Sequence, residues 1–153
     1  LDKDLAAAKE ASYTLFAAQR TLDDARDDFK DTAEDYMYNT GKYQYVTAQH
    51  QWQAAQYTYN AAVQSFETSF RTLYLQVKDY QQVLQAAKTA LATEQDNFAA
   101  AQKKHDLGNL SDNALADAKD KVSEAQDKVD GAAIDLFSAY NNYRWAVDHG
   151  ILN

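Results

Sequence analysis

Proline is absent from this chain, and in 153 residues glycine occurs only as Gly41, Gly108, Gly131 and Gly150. A sheet protein of such length needs many turns, and turns are built from glycine, proline and Asn-Gly pairs. Punctuation this sparse excludes a sandwich, a barrel or a doubly wound sheet. A hydrophobic share of 46% is too high for a disordered chain, and the missing prolines agree with that. An all-α protein of long helices remains.

The glycines divide the chain. Gly41 lies in the polar break Tyr38-Asn39-Thr40-Gly41-Lys42, and Gly108 lies in a second break running from Leu107 to Asp112. Gly150 follows the last periodic residue, Val147, and reads as a helix stop. The spacing predicts three helices, over about 2–38, 43–106 and 112–148, in a single domain spanning 1–153. At about 1.5 Å per residue the middle helix reaches on the order of 95 Å. The two shorter helices are therefore expected to lie against different halves of it.

Seam residues at intervals of three and four support this. Leu1, Ala8, Leu15, Leu22, Phe29 and Tyr36 recur every seven residues, with Ala11, Ala18 and Ala25 between them. The last helix repeats the scheme, with Leu115, Val122, Val129, Leu136 and Tyr143 each followed three residues later by an alanine, from Ala118 to Ala146. The middle helix carries Tyr45, Trp52, Tyr59 and Phe66, then Val63, Phe70, Val77, Leu84, Leu91 and Phe98. Such spacing predicts knobs-into-holes packing. The expected fold is a pair of elongated antiparallel coiled-coil hairpins, one long central helix flanked by two shorter ones. Reflection about the turns places the two short helices end to end beside residues 70–80.

Several functions are disfavoured by what the chain holds. Net charge −8 argues against nucleic acid or an anionic membrane as partner. No run of about 18 apolar residues occurs, so no direct membrane insertion by a helix of this chain is expected. Without cysteine there is no thiolate chemistry. His50, His105 and His149 are never at a spacing that would present two ligands together, and no nucleophile elbow or phosphate loop is visible. No catalytic, cofactor-binding or metal residues are assigned, and the protein is not expected to be an enzyme. Starting at Leu1 without a methionine or signal peptide, the chain is expected to be a trimmed or mature fragment.

The second break has complete capping chemistry. Lys103, Lys104 and His105 place positive charge at the C-terminal end of the middle helix, where the dipole is negative. Gly108 can adopt the left-handed conformation of a helix stop, and Ser111 or Asp112 can cap the next helix. The stretch Lys104-His105-Asp106-Leu107-Gly108-Asn109-Leu110-Ser111-Asp112-Asn113-Ala114-Leu115, with the alanine-spaced helix through Ala139-Tyr140-Asn141-Asn142-Tyr143 and the closing Gly150, resembles the outer-membrane efflux protein (TolC-like) family. In that family a long helix ends in a hydrophobic-Gly-hydrophobic turn followed by Ser or Thr and an acidic or amide residue. Leu107, Gly108, Leu110 and Ser111 fit, with Asn109 where an apolar residue is also common. The likeness covers about residues 59–150, and residues 1–40 fit more loosely the short helix preceding the membrane strands.

The resemblance implies a helical tunnel domain of a cell-envelope efflux or export protein, lying outside the cytoplasm. Its expected partners are other copies or repeats of the same domain and a periplasmic adaptor. The adaptor would meet the hairpin tip at Leu107, Gly108, Asn109, Leu110 and Ser111. The chain departs from the family between Tyr38 and Tyr43, where there is room for a tight turn but not for two membrane strands of about 10 residues. The strands are thus either naturally missing or removed, and conduction by this chain alone is in doubt. An alternative from another class is a non-transporting structural spacer or interaction module of the cell envelope.

Three features stay open between a functional and a structural reading. The run Asp23, Asp24, Asp27, Asp28, Asp31, Glu34 and Asp35, relieved by Arg26 and Lys30, holds net −5 of the total charge. It is either a cation-attracting tunnel wall, a loose divalent-ion site or a solvated outer face. Tyr38, Tyr43 and Tyr57 lie off the seam and form either an exposed aromatic patch, for a sugar polymer, an interface or another subunit, or core or self-packing. Leu107 and Leu110 either dock a partner or pack on each other across the turn.

Overall fold

The computed structural model describes residues 1–152 and is helical throughout, with no strand among the described residues. The elements are α1 (Asp2–Ala11), α2 (Tyr13–Asp35), α3 (Tyr43–Asp106) and α4 (Asp112–His149). The boundaries of α3 coincide with the sequence reading, and α4 runs one residue further than expected.

The first expected helix is in fact two. Ser12 leaves the helical region with φ −76° and ψ 108°, and its hydroxyl accepts a hydrogen bond from the Leu15 amide as the N-cap of α2. The buried heptad positions Ala8 and Leu15 continue across the interruption, which is why periodicity gives no sign of it. The second difference is at the other end, where α2 stops at Asp35 rather than near residue 38.

Contacts group the chain into two units, Leu1–Thr72 with the chain from Arg144 on, and Leu73–Tyr143. In the first unit α1 and α2 run antiparallel to the start of α3. Phe29 stacks on Trp52 with centroids 5.3 Å apart and planes at 13°, and meets Tyr45 edge-on at 5.3 Å. Nearer the N-terminus Lys9 pairs with Glu67. Leu5, Ala8, Leu15, Ala33, Ala48, Phe66, Phe70 and Ala146 form the core of this unit.

The end of α4 also belongs to this unit, where Gly150 lies beside Ser65, Phe66 and Ser69 of α3. Gly150 is buried against Ser12 and the Ala8 carbonyl. The last turns of α4 therefore overlap α1 instead of meeting it end to end. Ala8 and Ala146 are fully buried there, and their small side chains allow the approach.

In the second unit the latter part of α3 packs against α4 as far as Tyr143. Tyr74 and Tyr143 lie 6.0 Å apart by ring centroid, and Val77, Ala125, Ala132, Ala139 and Tyr143 are buried. A β-carbon on Gly131 would meet nothing within 4 Å, so the glycine marks no close approach of another helix among the described residues.

Candidate docking turns

The turn after α3 closes with a double hydrogen bond. The Asn109 amide donates to the Lys104 carbonyl (2.9 Å) and the Gly108 amide to the His105 carbonyl (2.8 Å), with Gly108 at φ 76°. This is a Schellman stop, with glycine where the left-handed conformation is required. Ser111, rather than Asp112, caps α4, its hydroxyl accepting from the Ala114 amide at 3.3 Å. Asp112 instead accepts from His105, with Nε2 and Oδ1 2.7 Å apart, and ties the two helix ends together. That hydrogen bond raises the imidazole above its ordinary pKa, against the opposing effect of partial desolvation, and the charges of Asp112 and Asp106 add to the rise.

None of these bonds involves a leucine side chain. Leu107 is 75% exposed, while Leu110 is half-buried. The positions that carry the apolar contact of a Schellman stop are Lys104 and Asn109, neither of them apolar. Extensive mutual packing of the two leucines is incompatible with the exposure of Leu107. Asn109 and Ser111 are exposed as well.

The turn before α3 repeats the hydrogen-bond pattern without glycine. The Tyr38 amide donates to the Ala33 carbonyl (2.7 Å) and the Met37 amide to the Glu34 carbonyl (3.0 Å). Met37 (φ 48°) and Tyr38 (φ 56°) both occupy the left-handed region. Asn39 then forms a tight turn, its side-chain oxygen accepting from the Gly41 amide at 3.0 Å and its carbonyl from Lys42 at 3.0 Å. Met37, Tyr38 and Tyr43 are all exposed. Sequence reasoning missed this left-handed pair, because no glycine stands there to signal it.

The three tyrosines singled out from sequence do not gather at one place. Tyr57 is exposed but lies 14 residues beyond Tyr43 on α3, about 21 Å along the helix. Only Tyr38 and Tyr43 share the first turn. On α2, Asp24, Asp28, Asp31 and Asp35 are exposed, and Arg26 pairs with Asp23 and Asp27, each at 3.2 Å. Among the described residues no group of three histidine or acidic side chains is placed to hold a metal ion. His50 is exposed, and His149 lies against Trp145 with ring centroids 4.0 Å apart.

Comparison with protein-family models, with curated proteins and with solved structures finds no match to this chain.

Proposed function

We propose that the chain is the coiled-coil hairpin domain of a TolC-like cell-envelope efflux or export protein, docking an adaptor through the turn at Leu107 to Ser111. The observation that carries this reading is Leu107. The cap is completed by backbone amides, Ser111 and the His105–Asp112 bond, so a 75% exposed leucine adds nothing to the turn's own stability. An exposed leucine there makes physical sense as a contact for another protein. Assembly from several copies is supported by apolar side chains left uncovered within the second unit, where Ile134, Phe137 and Tyr140 face solvent. The same unit also has an open groove of about 620 Å³ along Val83, Ala86, Ala90 and Gly131.

Two measurements test the proposal. Cells carrying the full protein with Leu107→Ser and Leu110→Ser should lose export, while the purified double variant keeps its thermal midpoint. A variant that exports normally but melts several degrees lower would make the leucines a staple of the turn and favour the spacer reading. Light scattering on the domain should give a mass of several copies; a monomer of the full protein would remove the tunnel.

A further inference from the structure

The two Schellman stops of this chain have the same hydrogen bonds and different residues at the left-handed position. After α3 it is Gly108; after α2 it is Met37, followed by a second left-handed residue, Tyr38. A left-handed conformation brings the β-carbon of an L-residue against its own backbone, a steric cost that glycine avoids. Such a cost is ordinarily offset by burying the side chain or bonding it. Met37 is 88% exposed, more than any other large hydrophobic side chain among the described residues. Tyr38 stands where a Schellman stop sets a side chain over Ala33, yet it too is 61% exposed. Tyr43, at the start of α3, adds a third exposed side chain. Strain kept at an exposed apolar tip is the mark of a contact surface rather than of the fold.

The charge behind the tip selects the partner. Asp31, Glu34 and Asp35 stand in the last turns of α2, on the run that carries net −5, and Lys42 is the single cation between α2 and α3. A second copy would bring the same acidic run against itself, and an anionic bilayer would repel it. We infer that Met37, Tyr38 and Tyr43 form a docking tip for a protein partner that offers an apolar face flanked by lysine or arginine. This site is separate from the Leu107 turn, and it stands whether or not that turn docks an adaptor.

The test uses a fluorescein-labelled amphipathic helical peptide of leucine and lysine as probe, titrated at low salt and followed by anisotropy. The variant Met37→Gly/Tyr38→Asn/Tyr43→Gln keeps every acidic residue and places residues at 37 and 38 that tolerate the left-handed region. It should bind about tenfold more weakly than wild type, whereas the control Tyr13→Gln/Phe16→Gln, at exposed apolar positions near the start of α2, should bind as wild type does. Equal binding by the tip variant would show that acidic charge alone draws the peptide, and would overturn the proposal. So would tip-dependent capture by phosphatidylcholine vesicles without peptide binding, or tip-dependent dimers in sedimentation. Should the triple variant unfold, Met37→Gly alone relieves strain and carries the comparison, with severalfold weaker binding expected and unchanged binding overturning the assignment.

Discussion

A β-carbon on Gly150 would lie 2.4 Å from the Ser12 amide nitrogen, 2.5 Å from its Cα and 2.6 Å from the Ala8 carbonyl oxygen. All three atoms belong to backbone, so no side chain can rotate away to make room. Gly150 also has φ 61°, where a side chain is strained in any surroundings. Gly150→Ala should therefore destabilise the first unit by about 2 kcal/mol or more. Thermal denaturation checks this, and an unchanged midpoint would mean that α4 does not end against the Ser12 break.

Gly131 predicts the opposite sign. It lies inside α4 with open space where its β-carbon would be and no positive φ. Gly131→Ala should stabilise by about 1 kcal/mol through helix propensity alone, raising the midpoint by roughly 2–4 °C. A fall would reveal that another helix comes within reach of Gly131 in solution.

These glycines also show how far the sequence is legible. Gly41 and Gly108 locate both turns, because each sits in a polar break between periodic stretches. The heptads pick out buried positions such as Ala8, Leu15, Phe66, Phe70, Ala132 and Ala146, since side-chain burial is what generates the period, but they pass over buried Leu5 and Ala33 and include exposed Ala11. The break at Ser12 escapes the same method, because one non-helical residue leaves Ala8 and Leu15 on the buried face. Its signal is the N-cap chemistry of Ser12, which the pattern reading passes over. The overlap of α4 with α1 is legible in the turn positions, since reflection about Gly41 and Gly108 sets Ser12 and Gly150 against the same turns of α3. What no spacing encodes is that Gly150 meets backbone atoms of Ala8 and Ser12 there. At the candidate sites, exposure separates Leu107 from Leu110 although their chemistry is the same. The left-handed pair at Met37 and Tyr38 is set by hydrogen bonds to Glu34 and Ala33, not by residue type.

The His105–Asp112 and Lys9–Glu67 pairs respond at opposite ends of the pH range. The His105 pKa is raised by its bond to Asp112, so the folded state holds the proton more tightly than the unfolded chain. The stabilisation is fully present below about pH 6.5 and is lost as pH rises through the higher folded-state value. Glu67 is held below its ordinary value by the hydrogen bond from Lys9 and by its charge. Its contribution is present above about pH 4.3 and is lost as pH falls. Midpoint differences between wild type and Asp112→Asn should shrink from about pH 6 to about pH 8, and those for Glu67→Gln should shrink from about pH 5 to about pH 3. A pH-independent difference for either variant would remove that pair from the account.

Salt should stabilise this protein by screening rather than by binding. Asp24, Asp28, Asp31 and Asp35 are exposed at three- and four-residue spacing on α2, where like charges repel by a few tenths of a kcal/mol per pair. Arg26 offsets only Asp23 and Asp27. No three of these acids come together to hold an ion, so calcium has no advantage over any other source of ionic strength. Sodium chloride and calcium chloride at matched ionic strength should thus raise the thermal midpoint by the same small amount, levelling off as the screening length falls to about 10 Å near 0.1 M. Neutralising the stripe with Asp28→Asn/Asp31→Asn should give much of that rise at low salt and blunt any further response. A shift specific to calcium at micromolar concentration would instead make Asp24, Asp28 and Asp31 ligands, and the run could no longer be treated as a solvated face.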